Sequence, residues 1–342
     1  MTAEPATHSL PRRLLEHLRT ELREPGLTYA DEPQAISGGY DTQIFSFQLK
    51  AGDPGWRAPL ILRLLGSGGD PRRAAREALI QNTVAALGYP APRVLLTSAD
   101  PGPLGGAFLI MERLAGRPML EERRLGMAST LAAMQARLHA LDADRLLDAL
   151  DTIGARDTVT FDGFLAQFDD RIARHSLQGL RPAMAWVRAH RPTAPERASI
   201  CHGDFHPQNV LMAGGTVTGV LDWPNVVVAD AAYDVGATRA ILRLAPVELT
   251  AGSPIRRGML GLIRPLAVMR YLATYRRSRP VGLEQLDYYE AVASLRQLVR
   301  IAEARVGVRT LTALDTSPFG ERVARHFAAL TAVTPRLPTP ST

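Results

Sequence analysis

The chain has 342 residues, with 40 Lys and Arg against 34 Asp and Glu, for a formal net charge of +6. Its apolar fraction of 46% excludes disorder throughout, and its length admits two domains or one two-lobed unit. The single cysteine, Cys201, excludes an intramolecular disulfide framework, and the most apolar stretch, 259–269, is broken by Arg264 and Pro265, so no run approaches the roughly 20 apolar residues that cross a bilayer.

In chain order, residues 1–8 read as loose, and 11–22 have helical apolar spacing at Leu14, Leu15, Leu18 and Leu22. Ser37-Gly38-Gly39-Tyr40 then precedes a strand over 44–49. A Gly pair before a strand permits close approach of backbone to a phosphate, and equally permits an ordinary turn. Leu60 to Leu65 is an apolar strand interrupted by Arg63, a charge that needs a partner there. A helix follows over 73–80, with Asp70 as its cap and Pro71 in its first turn. It carries Glu77 as the candidate partner of Arg63; the alternative strand cation is Lys50, the only lysine. Residues 88–95 break that helix and start a new strand, and a strand over 107–112 leads into Met111-Glu112-Arg113-Leu114 and a hinge over 114–118.

Beyond residue 118 the patterns are mainly helical: 127–141, 161–172, 184–190, 231–244, 256–276, 286–305 and 320–330, with 335–342 as a loose Pro/Thr tail. His139 lies on the first of these helices and reads as a structural residue. Strands first and helices later predict an α+β protein of two lobes: a nucleotide-binding lobe over 1–113 with an N-terminal helix, and a catalytic and acceptor-binding lobe over 114–342.

Between those helices lies Ile200-Cys201-His202-Gly203-Asp204-Phe205-His206-Pro207-Gln208-Asn209, then a strand, a turn at Gly215, a second strand and Leu221-Asp222-Trp223. An acid, an amide and a second acid stand five and thirteen residues apart, the order of the phosphoryl-transfer template. A hydroxyl attacking a terminal phosphate needs a carboxylate to orient it and take its proton, the role expected of Asp204. Mg2+ needs hard oxygen ligands and usually takes one or two carboxylates plus phosphates and water, the role expected of Asn209 and Asp222.

These segments resemble the aminoglycoside phosphotransferase and choline kinase-like family, which has a protein-kinase-like fold. The resemblance runs from about residue 36 to 305. His202 to Asn209 is similar to that family's catalytic loop and Leu221-Asp222-Trp223 to its metal turn. Ser37, Gly38 and Gly39 resemble its nucleotide flap, Leu62-Arg63 its third strand, and Met111, Glu112 and Leu114 belong to the stretch that resembles its hinge. Asp230 and Asp234 resemble the paired acids that support the loop. The resemblance implies ATP or GTP as donor, Mg2+ as cofactor and a small-molecule alcohol as acceptor. Two departures stand out: arginine replaces lysine at 63, and Pro224-Asn225 follows Trp223 where the family often has an acid.

The alternatives are a nucleotide-binding module without turnover, a protein kinase and a nucleic-acid binder. Only seven residues separate Asp222 from Asp230, too few for a peptide-docking segment. The scattered arginines read as solvated surface rather than a nucleic-acid footprint. Cytoplasmic location, with neither nucleic acid nor membrane as partner, is expected. Among the acids of the 239–305 stretch (Glu248, Glu284, Asp287, Glu290 and Glu303) arginines predominate, which argues against a polycationic acceptor.

Overall fold

The computed structural model describes residues 10–36, 42–50, 53–65, 72–122, 126–193, 197–245, 254–279 and 285–340, the side chains of 254–262 and 313 excepted. The flap residues Ser37, Gly38 and Gly39 and the helix cap Asp70-Pro71 lie outside them. The chain divides into two compact units, Met1–Gly116 with Leu211–Trp223, and Arg117–Val210 with Pro224–Thr342. The first is built on an antiparallel sheet and the second mainly on helices, the α+β class expected.

In the first unit, β1 (Tyr29–Ala35), β2 (Thr42–Leu49), β3 (Leu60–Leu65), β4 (Val94–Ser98) and β5 (Phe108–Glu112) form one sheet in the order β1-β2-β3-β5-β4. Side chains alternate between the two faces of a strand, and β3 sorts its residues accordingly. Leu60 and Leu62 join Phe45, Phe47, Phe108 and Ile110 in a core that also takes Leu10, Leu14 and Leu18 from helix Leu10–Glu21. Ile61 and Leu65 turn to the other face and pack with Leu109, Met111 and with Ala74 and Ala78 of helix Arg73–Ala86. Arg63 shares that second face.

In the second unit, helix Leu286–Arg305 is the central element, with most of its residues buried. It packs on helices Ala231–Leu244 and Phe319–Thr331. Phe161, Phe164, Tyr233 and Tyr289 form an edge-on aromatic cluster. Strand Ser199–Cys201 pairs antiparallel with Val227–Ala229. Predicted and observed helices agree closely, but Ala143–Asp151 is an additional helix. The tail expected to be loose is docked as far as residue 338: the Arg336 amide donates to Gly179 O at 2.9 Å and Arg305 Nη1 to Pro338 O at 3.3 Å. Buried backbone seeks partners wherever it lies, and a proline-rich composition does not prevent that. Among the described residues, no helix is long and apolar enough to cross a membrane.

Candidate active site

In the first unit, the face assignment of β3 delivers Arg63 to helix Arg73–Ala86. Ala74, Glu77, Ala78 and Gln81 form the buried side of that helix at i, i+3, i+4 and i+7. Arg63 Nη1 donates to Glu77 Oε2 at 3.1 Å, and Arg73 Nε to Glu77 Oε1 at 3.0 Å. Glu77 is wholly buried, so two arginines satisfy a carboxylate that would be very costly alone. Arg63 Nη2 also stands 3.5 Å from Asp222 Oδ1, while its buried Nε has no hydrogen-bond partner. Lys50 sits exposed past the end of β2, and its backbone amide donates to Thr28 O. The sequence pair Arg63 and Glu77 is therefore brought together.

Strands Val210–Ala213 and Thr216–Val220 close through Gly214 and Gly215, both at positive φ, the signature of a two-residue hairpin turn. The turn after it holds Asp222 at φ 67°, a left-handed conformation uncommon outside glycine but several-fold enriched for Asp. Trp223 pins this turn: it is wholly buried, donates Nε1–H to Val220 O at 2.9 Å and meets the Tyr89 ring edge-on. The Asp222 carboxylate stays 41% exposed.

Of the hinge residues, Met111 is buried in β5 and Leu114 lies where any side chain at Gly219 would collide with it. Glu112 has its carboxylate occupied, since Oε2 accepts the Arg93 amide at 3.1 Å. The Arg113 amide donates to Pro59 O. Glu112 thus ties β5 to the chain at Arg93.

In the second unit, the catalytic loop hangs from one carboxylate. Asp234, wholly buried in the first turn of helix Ala231–Leu244, accepts the amides of His202 at 3.0 Å and Gly203 at 2.7 Å. His139 Nε2 contacts the same carboxylate at 3.0 Å, and its Nδ1 meets Tyr275 Oη at 2.7 Å. Gln135 donates to Asp234 O and to Thr238 Oγ1, which in turn donates to Phe205 O. Tyr271 hydrogen bonds Gln135. Asp230 instead caps its helix, accepting the Ala232 amide at 2.8 Å. The two acids divide the work, and His139 is structural, as its place on an amphipathic helix predicted.

Gly203 is left-handed at φ 77°, and a Cβ there would overlap the Asn225 carbonyl. The loop then presents Asp204, whose side chain is 22% exposed, with His206 Nε2 3.7 Å from Oδ1. Burial alone would raise the Asp204 carboxyl. A hydrogen bond and positive charge from His206, with charge from Arg296 and His202, more than offset this and hold it well below the usual carboxylate range. Asn209 Nδ2 donates to Asp204 O at 2.9 Å, which commits the amide nitrogen and leaves Oδ1 as the ligand-capable atom. Each unit thus offers one hard oxygen of the type Mg2+ prefers: Asn209 Oδ1 in the second, and the open Asp222 carboxylate in the first.

Sequence reading missed Arg296, Gln135, Tyr271 and Tyr275. Arg296, from helix Leu286–Arg305, hydrogen bonds the Gly203 carbonyl. It is one of several charged residues on that helix, and nothing in the local pattern singles it out.

A family model described as the phosphotransferase enzyme family matches residues 32–253. An aminoglycoside 3'-phosphotransferase of Streptomyces fradiae is 32% identical over 214 residues, covering 59% of this chain and 72% of that protein. A protein of Arabidopsis thaliana named as an acyl-CoA dehydrogenase, IBR3, is 24% identical over 332 residues, covering 83% of this chain; this chain spans only 39% of that protein's length. An aminoglycoside phosphotransferase solved in a ternary complex with AMP-PNP and hygromycin B superposes with a TM-score of 0.56 at 18% identity, covering 95% of this chain and 98% of that one. That likeness carries the fold, the protein-kinase-like arrangement expected from the motifs. The chain belongs to the phosphotransferase enzyme family and is a small-molecule O-phosphotransferase in class.

Proposed function

We propose that this protein transfers the terminal phosphate of ATP or GTP to a hydroxyl of a small molecule. The acceptor is an antibiotic alcohol, as in its phosphotransferase relatives, or a hydroxylated metabolite. The bond between the γ-phosphorus and the bridging oxygen breaks, a new bond to the acceptor oxygen forms, and the hydroxyl proton leaves by way of Asp204 to solvent. The observation that carries this reading is the loop itself: the Asp204 carboxylate, 3.7 Å from His206 Nε2, on a backbone clamped by Asp234. A carboxylate so acidic is a poor base toward a neutral alcohol. Its contribution is orientation first and proton acceptance late, which suits a loose phosphoryl transition state that needs little push from the nucleophile.

Residues 1–113 serve as the nucleotide lobe and 114–342 as the catalytic and acceptor lobe. Arg63, fixed by Glu77, binds nucleotide phosphate. Gly38 and Gly39, with Ser37, form the flap, and the backbone around Met111, Glu112 and Leu114 lies along the base. Asn209 and Asp222 would hold Mg2+, which when bound neutralises charge on the nucleotide phosphates.

Asp204→Asn should lower transfer by about 10²–10⁴-fold, the usual worth of a positioned acid or base, while Mg2+-nucleotide still binds. The measurement is ADP formation against a broad alcohol and antibiotic panel, paired with thermal-shift titration of nucleotide. Full turnover by the variant would refute the role. Nucleotide binding with no acceptor phosphorylated by the wild type would favour a silent nucleotide-binding module.

A further inference from the structure

The excess of positive charge is not spread evenly along the chain. Helix Pro254–Ser278 carries six arginines and no acid, which matches the net +6 of the whole chain, so all other residues are neutral in sum. The same helix bears the three most exposed large apolar side chains among the described residues: Ile263 at 49%, Leu266 at 60% and Met269 at 58%. Exposed apolar side chains scattered singly are ordinary. These three follow at steps of three and share one face of the helix. Arg270, Arg276 and Arg277 are exposed beside them. Among the described residues, none of these three arginines forms an ion pair.

The fold holds that face outward. Val268, Tyr271 and Tyr275, on the opposite side at steps of three and four, are buried. Tyr271 hydrogen bonds Gln135, and Tyr275 Oη meets His139 Nδ1 at 2.7 Å. Arg270 Nε donates to Ser129 Oγ at 2.9 Å and fixes the rotation from the flank. Turning the helix to hide Leu266 would break all three contacts, so these apolar side chains stay in water unless another surface covers them. The charge narrows what that surface is. A second copy would set like charges against each other. Nucleic acid would answer the arginines and leave the apolar side chains in water. A peptide helix docks in a groove, whereas these side chains project. An anionic lipid surface meets both needs: its acyl boundary takes the apolar side chains, and its headgroups take the guanidinium groups.

We propose that this face of helix Pro254–Ser278 docks the protein on an anionic lipid surface, with the helix lying on the surface rather than crossing it. The proposal is independent of the acceptor and of phosphoryl transfer. It departs from the absence of a membrane partner expected from sequence. Arginines counted along the whole chain look like solvated surface, and that view averages away a helix that has no acid to balance its own.

The test is co-sedimentation of the full chain with vesicles of phosphatidylcholine alone and of phosphatidylcholine with phosphatidylserine. Binding should require phosphatidylserine and weaken as salt rises. Arg276→Gln with Arg277→Gln should weaken it by about 30-fold, about fivefold for each arginine near the surface. Leu266→Ser with Met269→Ser should weaken it by about tenfold through lost apolar insertion. All four side chains are exposed, so thermal unfolding midpoints should stay at the wild-type value. Arg12→Gln with Arg23→Gln removes equal charge from exposed positions of the first unit and should leave binding within about twofold. The inference is overturned if phosphatidylserine vesicles fail to sediment the protein, if phosphatidylcholine alone binds as well, or if Leu266→Ser with Met269→Ser binds undiminished. It is also overturned if the change at 12 and 23 costs as much as the change at 276 and 277. Soluble polyglutamate binding as tightly as the vesicles would point to an acidic protein partner and overturn it, as would self-association that the same helix substitutions abolish.

Discussion

Two buried carboxylates, one in each unit, show two ways of making a site rigid. Glu77 holds side chains: it spans Arg63 from a strand and Arg73 from its own helix, and both arginines retain some exposure, 14% and 29%. Asp234 holds backbone: it takes two consecutive loop amides and a buried histidine, and nothing around it reaches solvent. A clamp on side chains fixes a charge and leaves it able to turn toward a ligand. A clamp on backbone amides fixes the chain path, and every residue of the loop inherits the precision.

The contrast can be broken most severely at Asp234. Asp234→Ala leaves two amides and His139 without their acceptor, and should cost about 3–5 kcal/mol, as removal of one member of a buried charged network does. Urea unfolding should show it, and Asp234→Asn, which keeps an acceptor oxygen, should recover part. Glu77→Ala should cost less, about 1–3 kcal/mol, because the two arginines can turn to water. It should weaken nucleotide binding by about tenfold in a titration, the effect of losing one well-placed charged contact. If the two variants unfold the protein equally, the distinction between the clamps is wrong.

Acid sharpens the same comparison. Burial would raise the Asp234 carboxyl, but the hydrogen bond and charge of His139, the charge of His202 and a hydrogen bond from Gln135 lower it overall. A depressed carboxyl stabilises the fold fully above its unfolded value, near 3.9, and loses that contribution as pH falls through the folded value. Unfolding midpoints measured downward from about pH 6 should fall in that acid window, and His139→Gln should reduce the drop. The smallest effect belongs to Asp222. Asp222→Gly puts the residue best suited to a positive φ at that position and should change stability by less than about 1 kcal/mol. Mg2+-dependent transfer should nonetheless be lost, separating the turn's shape from its carboxylate.

Local pattern carried much of this molecule. The acid-amide-acid spacing singles out Asp204, Asn209 and Asp222 as candidates, because each sits in a short strand-turn context that sequence displays directly. Arg63 and Glu77 were legible because one breaks an apolar strand and the other lies on the next helix, only 14 residues away. Helix Ala143–Asp151 had signals that could have been used: Asp142 as its cap, then Leu146 and Leu150 four apart. The loop's distant supports were not legible. Tyr275 reaches His139 across 136 residues and Gln135 reaches Thr238 across 103. No local periodicity encodes which tyrosine on a long helix will find which partner. The docked tail was misjudged because composition reports preference for irregular backbone, not whether that backbone has a place to bind.

One consequence of the crowding at residue 203 concerns how such proteins are recognised at all. Protein kinases write an arginine between the histidine and aspartate of this loop. Here the Asn225 carbonyl occupies the space a side chain would need, so glycine is the residue that fits. The guanidinium arrives from elsewhere, at a residue 93 positions downstream. The cation that contacts the loop backbone is therefore written far downstream of the motif, where a search confined to the motif would not find it.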